Sequence, residues 1–340
     1  MKAAPWEKVT LSLPQAREVQ AVAPVIISAS RSTDLPAFHS EWFMNRLRAG
    51  HAAWRNPFNQ AVQYVSFMRT RVVVFWTKNP APLLPHLQEI EDMGINYYFQ
   101  FTINDYETQG WEPNVPRLES RIETMARLSA RIGRDRIIWR FDPLLLSDTV
   151  TEDVLAKKVQ RVGNLAHPYT SKLVFSFADI AAYRKVRTNL ASAGINYSEF
   201  DTAGMMRMAQ RIAEMNHGWG LDLATCAEAE NFEKLGIMHN RCIDGELMLR
   251  LFPSDSELRR FLNPRQRPLM LGMSDLDSKW QDKIKDAGQR KECGCIVSKD
   301  IGAYNTCAHL CTYCYANTSE RVVMKNLARR AADEACIVSA

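Results

Sequence analysis

Residues 72–103 read VVVFWTKNPAPLLPHLQEIEDMGINYYFQFTI. Two apolar, β-rich runs, Val72–Thr77 and Tyr97–Ile103, enclose a polar loop and a stretch, Leu83–Met93, with apolar residues at helical spacing. Gly94 stands where a helix C-cap is expected. Strand, helix, strand in that order implies parallel pairing.

The same rhythm runs outward in both directions. Further strands are expected at Val25–Ser30, Arg136–Phe141, Leu173–Phe177 and Leu221–Thr225, with a weaker run at Ala61–Phe67. Helices are expected at Ser40–Ala49, Glu119–Ile132, Glu152–Leu165, Ala181–Leu190, Met205–Met215 and Asn231–Lys234. Thr151 has the chemistry of an N-cap, and Glu152 and Asp153 favour a first turn. So many βα units exceed the need of a three-layer nucleotide-binding domain. The expected fold is α/β, a complete or partial (β/α) TIM-type barrel over residues 23–250, with a doubly wound open sheet as the alternative. Residues 1–22 read as a leader or edge segment. Residues 251–340 read as a C-terminal cluster-binding extension. In it, Ser254 is a candidate N-cap, 293–317 a cysteine-rich loop and Arg321–Glu334 a closing helix.

The 340 residues are 46% hydrophobic and 24% charged, which excludes a disordered chain. No uninterrupted run of 18 apolar residues is present, so no membrane span is expected. No apolar signal region follows the N-terminus, and a cytoplasmic location is expected. The net charge of +5 is mild but uneven: residues 250–340 hold 15 Lys and Arg against 11 Asp and Glu. Of eight cysteines, seven lie between Cys226 and Cys314. In a reducing compartment, clustered cysteines signal metal binding or redox chemistry rather than disulfides.

In barrels the reactive groups gather where strands run into their following loops. The expected strands end in Arg31 and Asp34, in Thr77 and Asn79, in Arg140 and Asp142, and in Ser176 and Asp179, while Gln100 lies inside an apolar strand. Each has a structural explanation: Asp34 and Asp179 suit helix caps, and Arg140 and Asp142 suit an ion pair on one strand face. Their recurrence at successive strands is what argues for a site. Gln100 and Arg140 weigh most, because burying them unpartnered costs several kcal/mol. Arg31, Asp34, Gln100, Arg140 and Asp142 are the candidate catalytic groups. Thr77, Asn79, Arg140, Ser176 and Asp179 are candidate cofactor contacts. Trp54, Trp76 and Trp139 read as core.

The most specific signal is CAHLCTYCYAN, residues 307–317, with Cys307, Cys311 and Cys314 at C-x3-C-x2-C spacing. A loop of that length can wrap three corners of an iron–sulfur cubane and leave the fourth iron open. Zinc is the rival, but a structural zinc site takes four protein ligands, and His309 is poorly placed to be the fourth. Cys226, Cys242 and the Cys293–Cys295 pair are candidates for a second cluster or a zinc, against the plainer reading of Cys226 and Cys242 as small core hydrophobes.

The loop resembles the signature of radical S-adenosylmethionine enzymes, and is similar in particular to that of spore photoproduct lyases. The resemblance implies that Cys307, Cys311 and Cys314 hold a [4Fe–4S] cluster whose open iron binds S-adenosylmethionine. It implies a 5′-deoxyadenosyl radical, oxygen sensitivity, an electron donor such as flavodoxin or ferredoxin, and Tyr313 near the adenine. In that family the motif follows the first strand; here it follows the whole set of βα units. The whole chain also resembles a bacterial family of unassigned function with segments ISASRxTDxP, FWTKNP, WRxDP and CxxxCxxCYAN, matched here by ISASRSTDLP, FWTKNP, WRFDP and CAHLCTYCYAN.

Three functions are therefore expected in order. The first is a radical enzyme on a small-molecule substrate. The second is a radical repair or modification enzyme on nucleic acid, favoured by Arg259, Arg260, Arg265, Arg267, Arg329 and Arg330. The third is a zinc-stapled barrel hydrolase or binding protein.

Overall fold

The computed structural model describes residues 6–14, 17–263 and 283–338. Its centre is a sheet of eight strands: β3 (Ile26–Ala29), β6 (Val72–Thr77), β7 (Asn96–Thr102), β8 (Ile137–Leu144), β10 (Lys172–Phe177), β12 (Asp222–Thr225), β13 (Ile237–His239) and β14 (Lys299–Asp300). The spatial order is β13-β12-β10-β8-β7-β6-β3-β14, and every pairing is parallel. Strands adjacent in the chain are thus adjacent in space, except that β14, last in the chain, pairs with β3, the first strand of this sheet. Among the described residues the pairing leaves β13 and β14 as edges, so the sheet is not closed into a complete barrel; nor does the order reverse, as a doubly wound sheet requires.

Parity assigns the two faces. Val73 and Phe75 of β6, Tyr97 and Phe99 of β7 and Trp139 of β8 pack beneath the helices. These include α2 (Ser40–Arg48), α4 (Leu118–Ile132), α5 (Glu152–Ala166) and α7 (Thr202–Asn216). Val72, Val74, Tyr98, Ile138, Val174 and Ala224 face the other way. They pack against residues 242–262 and against Ile284, Cys293, Cys295 and Ile296. Residues 242–262 and 284–296 therefore cover this second face of the sheet.

Local chemistry explains the helix ends. Thr151 caps α5 through Val154 N at 3.4 Å, as expected. Gly94 and Gly133 follow helices with φ of +72° and +85°, where a Cβ would be strained. Ser254 is not the N-cap of the next helix; Asp255 is, because its carboxylate also meets Arg71 at 2.9 Å. The expected helix at Leu83–Met93 is split, since Pro85 cannot donate, into a 3-10 turn, Ala81–His86, and α3, Leu87–Asp92. The short segment at Asn231–Lys234 is a 3-10 turn over Glu233–Leu235. The closing helix spans Glu320–Leu327 only.

The described part of the expected leader forms a hairpin, β1 (Glu7–Leu13) with β2 (Arg17–Ala23). It joins β4 (His51–Arg55) and β5 (Val62–Ser66) in a separate four-stranded sheet, so the weak run at Ala61–Phe67 does not enter the central one. No helix among the described residues is long and apolar enough to cross a membrane.

Candidate active site

A cavity of about 250 Å³ opens at the C-terminal ends of β3, β6, β7, β8 and β10. The loop carrying the three-cysteine motif roofs it: Cys307, Cys311, Tyr313 and Cys314 line one side. Arg31, Asp34, Thr77, Asp142 and Asp179 line the other, so these strand-end residues do share one site.

The cysteine loop is pinned to the strand ends. Asp34 Oδ1 accepts from Ala37 N at 3.0 Å, capping α1 (Leu35–Phe38), and from Thr77 Oγ1 at 2.7 Å. Its Oδ2 accepts from Lys78 N at 2.6 Å and meets His309 Nε2 at 2.8 Å. His309 Nδ1 contacts the Asn114 carbonyl at 3.1 Å. Both imidazole nitrogens are engaged, so His309 orients the loop and is not a metal ligand. His39 Nε2 meets the Thr306 carbonyl, Asn114 Nδ2 donates to the Ala308 carbonyl, and Asn317 Nδ2 donates to the Cys307 carbonyl. Asp34, expected as a catalytic group, is thus saturated and acts as a positioning residue.

Beneath Cys311 lies a buried charged network that the sequence reading missed. Lys78 Nζ donates to Glu112 Oε1 at 2.7 Å and to the Tyr313 hydroxyl at 3.1 Å. The Tyr313 hydroxyl donates to Glu112, and Asn104 Nδ2 donates to both Glu112 and Tyr313. Arg121 stands 3.8 Å from Glu112. Burial disfavours the Glu112 carboxylate, but Lys78 and Arg121 outweigh it and pull its pKa down to about 2. Burial likewise opposes the charge on Lys78, which Glu112 and Cys311 hold above the ordinary lysine value. Burial raises the thiol pKa values of Cys307, Cys311 and Cys314. Lys78 was visible in FWTKNP, but Asn104 and Glu112 sit in an unpatterned loop, and only the fold brings them together.

Four expected residues do not line the cavity. Arg140 Nε donates to Asp142 Oδ2 at 3.1 Å, and its Nη1 donates to Gln100 Oε1 and to Cys242 Sγ. Gln100 Nε2 donates to the Cys242 carbonyl. Gln100 and Arg140 are therefore partnered in the layer below, on the Cys242 side. Asn79 closes a turn through Ala81 N, and Ser176 donates to Asp142 Oδ1. Asp179 lines the cavity and pairs with Arg290 at 3.4 Å. Burial opposes ionisation of Asp142, but Arg140 and Ser176 keep its pKa low.

Trp76 packs against the core on the second face of the sheet, as read, and also lines the cavity, where the Arg31 and Arg140 guanidinium carbons lie 5.4 and 5.3 Å from its ring centre. Arg31 Nη2, Thr33 Oγ1 and Trp76 Nε1 are buried at the cavity with no hydrogen-bond partner among the described residues. Unsatisfied buried donors are costly, and three around one cavity mark a polar ligand site.

The family model for DUF1848, a domain of unknown function, matches residues 26–316. The chain belongs to the DUF1848 family. That match runs from β3 through the cysteine loop, so cavity and motif both lie inside the DUF1848 region. No curated protein matches the chain. A crystal structure of a proposed alpha-L-fucosidase from Bacteroides thetaiotaomicron VPI-5482 is similar at a TM-score of 0.25 and 11% identity. The similarity covers 55% of this chain and 84% of that one, and a score so low carries no argument.

A cofactor fit can be tested on the residues themselves. Among the described residues, no three His, Cys, Asp or Glu side chains are disposed to hold a single metal ion. A polynuclear cluster asks for something else, namely thiolates on separate irons around a larger body. Cys307, Cys311 and Cys314 face one cavity, and His309, the candidate fourth ligand in the loop, has both ring nitrogens engaged elsewhere. That donor set fits a cluster with one open iron. Of the basic set, Arg330 donates to the Phe38 carbonyl, while Arg265 and Arg267 lie outside the described residues.

Proposed function

We propose that this DUF1848 protein is a radical S-adenosylmethionine-type enzyme acting on a small molecule, and that its open sheet is a partial barrel. The observation that carries the reading is the convergence of all three motif thiols on a cavity ringed by unpartnered buried donors. A [4Fe–4S] cluster with one open iron, once reduced, supplies the electron that cleaves S-adenosylmethionine to methionine and a 5′-deoxyadenosyl radical.

The chain's own residues do the rest. Cys307, Cys311 and Cys314 hold the cluster. Arg31 would take the cofactor carboxylate: its Nη1 pairs with Asp286 but its Nη2 has no partner among the described residues, whereas Arg140 is engaged by Asp142, Gln100 and Cys242. Trp76 Nε1 and Thr33 Oγ1 offer donors to the cofactor or substrate. The Asp34–His309 contact fixes the loop, and the Lys78–Glu112–Tyr313 network holds the Tyr313 ring at the cavity wall.

Anaerobic reconstitution with iron and sulfide tests the reading. The expected result is a brown protein that forms 5′-deoxyadenosine from S-adenosylmethionine under a strong reductant, with both properties lost in Cys307→Ala, Cys311→Ala or Cys314→Ala. A colourless protein, or 5′-deoxyadenosine formation that survives these substitutions, overturns it.

A further inference from the structure

The remaining thiols make a second cluster of side chains, separate from the cavity roof. Cys226 follows β12, Cys242 follows β13, and Cys293 and Cys295 precede β14. They therefore come from both edges of the open sheet. Cys226 Sγ lies 3.5 Å from Cys242 Sγ. Cys242, Cys293 and Cys295 are buried in one core cluster, with Cys226 packed against it. Ile243, next to Cys242 in the chain, ties Cys295 to that segment through its N–H. All four are free thiols.

Two features separate this group from ordinary core cysteine. The first is the set of donors aimed at its sulfurs. Arg140 Nη1 donates to Cys242 Sγ at 2.9 Å, Asn240 Nδ2 to the same atom at 3.1 Å, and Ile243 N to Cys295 Sγ at 3.4 Å. N–H groups directed at sulfur stabilise thiolate, the form that binds metal, and are the usual second layer of a thiolate site. A neutral thiol packed as a hydrophobe needs no buried guanidinium beside it. The second feature is spacing. Two thiolates 2.3 Å from one tetrahedral ion stand about 3.8 Å apart, close to the Cys226–Cys242 separation. Thiolates on different irons of a cubane stand farther apart.

We propose that Cys226, Cys242, Cys293 and Cys295 form a four-thiolate site for one tetrahedral metal ion of the zinc class, joining the two edges of the open sheet. As placed, the four sulfurs do not surround one point, so among the described residues no preformed single-ion site exists. Metal binding removes the thiol protons. The Cys226–Cys242 S–H···S bond then has no donor, and each sulfur turns about its Cα–Cβ bond toward the shared ion. Arg140 and Arg31, both beside the Trp76 ring, offset the excess negative charge of four thiolates on a divalent ion. Gln100 becomes a positioning residue for this site, through its bond to the Cys242 carbonyl. The proposal does not rest on the radical reading.

The test uses the full chain carrying Cys307→Ala, Cys311→Ala and Cys314→Ala, so that the first site plays no part. Titration with cobalt(II) should give one equivalent of intense visible bands typical of tetrahedral thiolate coordination, bleached by zinc. Adding Cys226→Ser and Cys242→Ser should abolish them. Because those variants can misfold, the triple variant is also alkylated with and without zinc and mapped by mass spectrometry. Zinc should protect Cys226, Cys242, Cys293 and Cys295 together. Absence of the bands, bands that persist in the added variants, protection of fewer than four thiols, or uptake of iron with sulfide in place of the single ion would each overturn the proposal.

Discussion

Replacing Glu112 by Gln removes the one carboxylate that Lys78 and Arg121 share beneath the cysteine loop. The side chain is 1% exposed, as is that of Arg121, so water does not take over its role. The depression of the Glu112 pKa from 4.5 to about 2 corresponds to a stabilisation on the order of 3 kcal/mol. Arg121 keeps Glu107 at 3.6 Å, so Lys78 is the buried cation left without a carboxylate, and breaking a buried pair costs about 3–5 kcal/mol by this alternative route. The two estimates agree, and they amount to a large share of the stability of an ordinary domain. Urea unfolding of Glu112→Gln at neutral pH should therefore show a loss of about 3–5 kcal/mol. The sign with pH follows from the direction of the shift. A depressed carboxyl contributes fully above its unfolded value and loses that contribution as pH falls from about 4.5 to about 2. The wild type should thus lose stability over that window, and the Gln variant should lose less. Lys78→Met in the same chain removes one stranded cation, so the double variant should lose less than the sum of the two single losses. A Glu112→Gln loss below about 1 kcal/mol, or strict additivity with Lys78→Met, would refute the reasoning.

Other expectations follow from single contacts. Arg31→Lys keeps charge but loses the planar fork, and should weaken S-adenosylmethionine binding about 10- to 100-fold by calorimetry while iron and sulfide content stays unchanged. Equal affinity would remove Arg31 from the cofactor site. Gly163→Ala should destabilise by about 1–3 kcal/mol in urea, against the usual helix preference for alanine, because its Cβ would lie 2.2 Å from the Trp219 ring. That ring is held by a 2.9 Å bond from Trp219 Nε1 to Asn164. A stabilised variant would show that the ring is free to move. Gly302→Ala places a Cβ 1.9 Å from Ser30 Oγ, and should lower the melting temperature by displacing the Ser30–Ser32 pair beside the cavity. An unchanged melting temperature would mean that this wall yields easily.

Much of the architecture was legible without coordinates because it rests on local periodicity. The alternation of β-rich runs with helical stretches dictates parallel strands, and parity on β8 already puts Arg140 and Asp142 on one face. The C-x3-C-x2-C spacing identifies the three thiols, since that chemistry is contained in eight consecutive residues. What the sequence could not determine is which side chains meet across long separations. Arg140 and Arg31 look equivalent at strand ends, yet Cys242, more than a hundred residues from Arg140 in the chain, engages the first, while Arg31 lines the cavity and, beyond its pair with Asp286, keeps Nη2 without a partner among the described residues. Asp34 looks like a catalytic acid until Lys78 N and His309, on the far loop, are seen to share its second oxygen. Glu112 carries no local pattern at all; its role comes from Lys78, Arg121 and Tyr313 arriving from three other segments. Sheet closure is likewise a tertiary matter. Strand composition encodes pairing partners, but it does not say that β13 and β14 end the order of the sheet, or that residues 242–262 and 284–296 cover one of its faces.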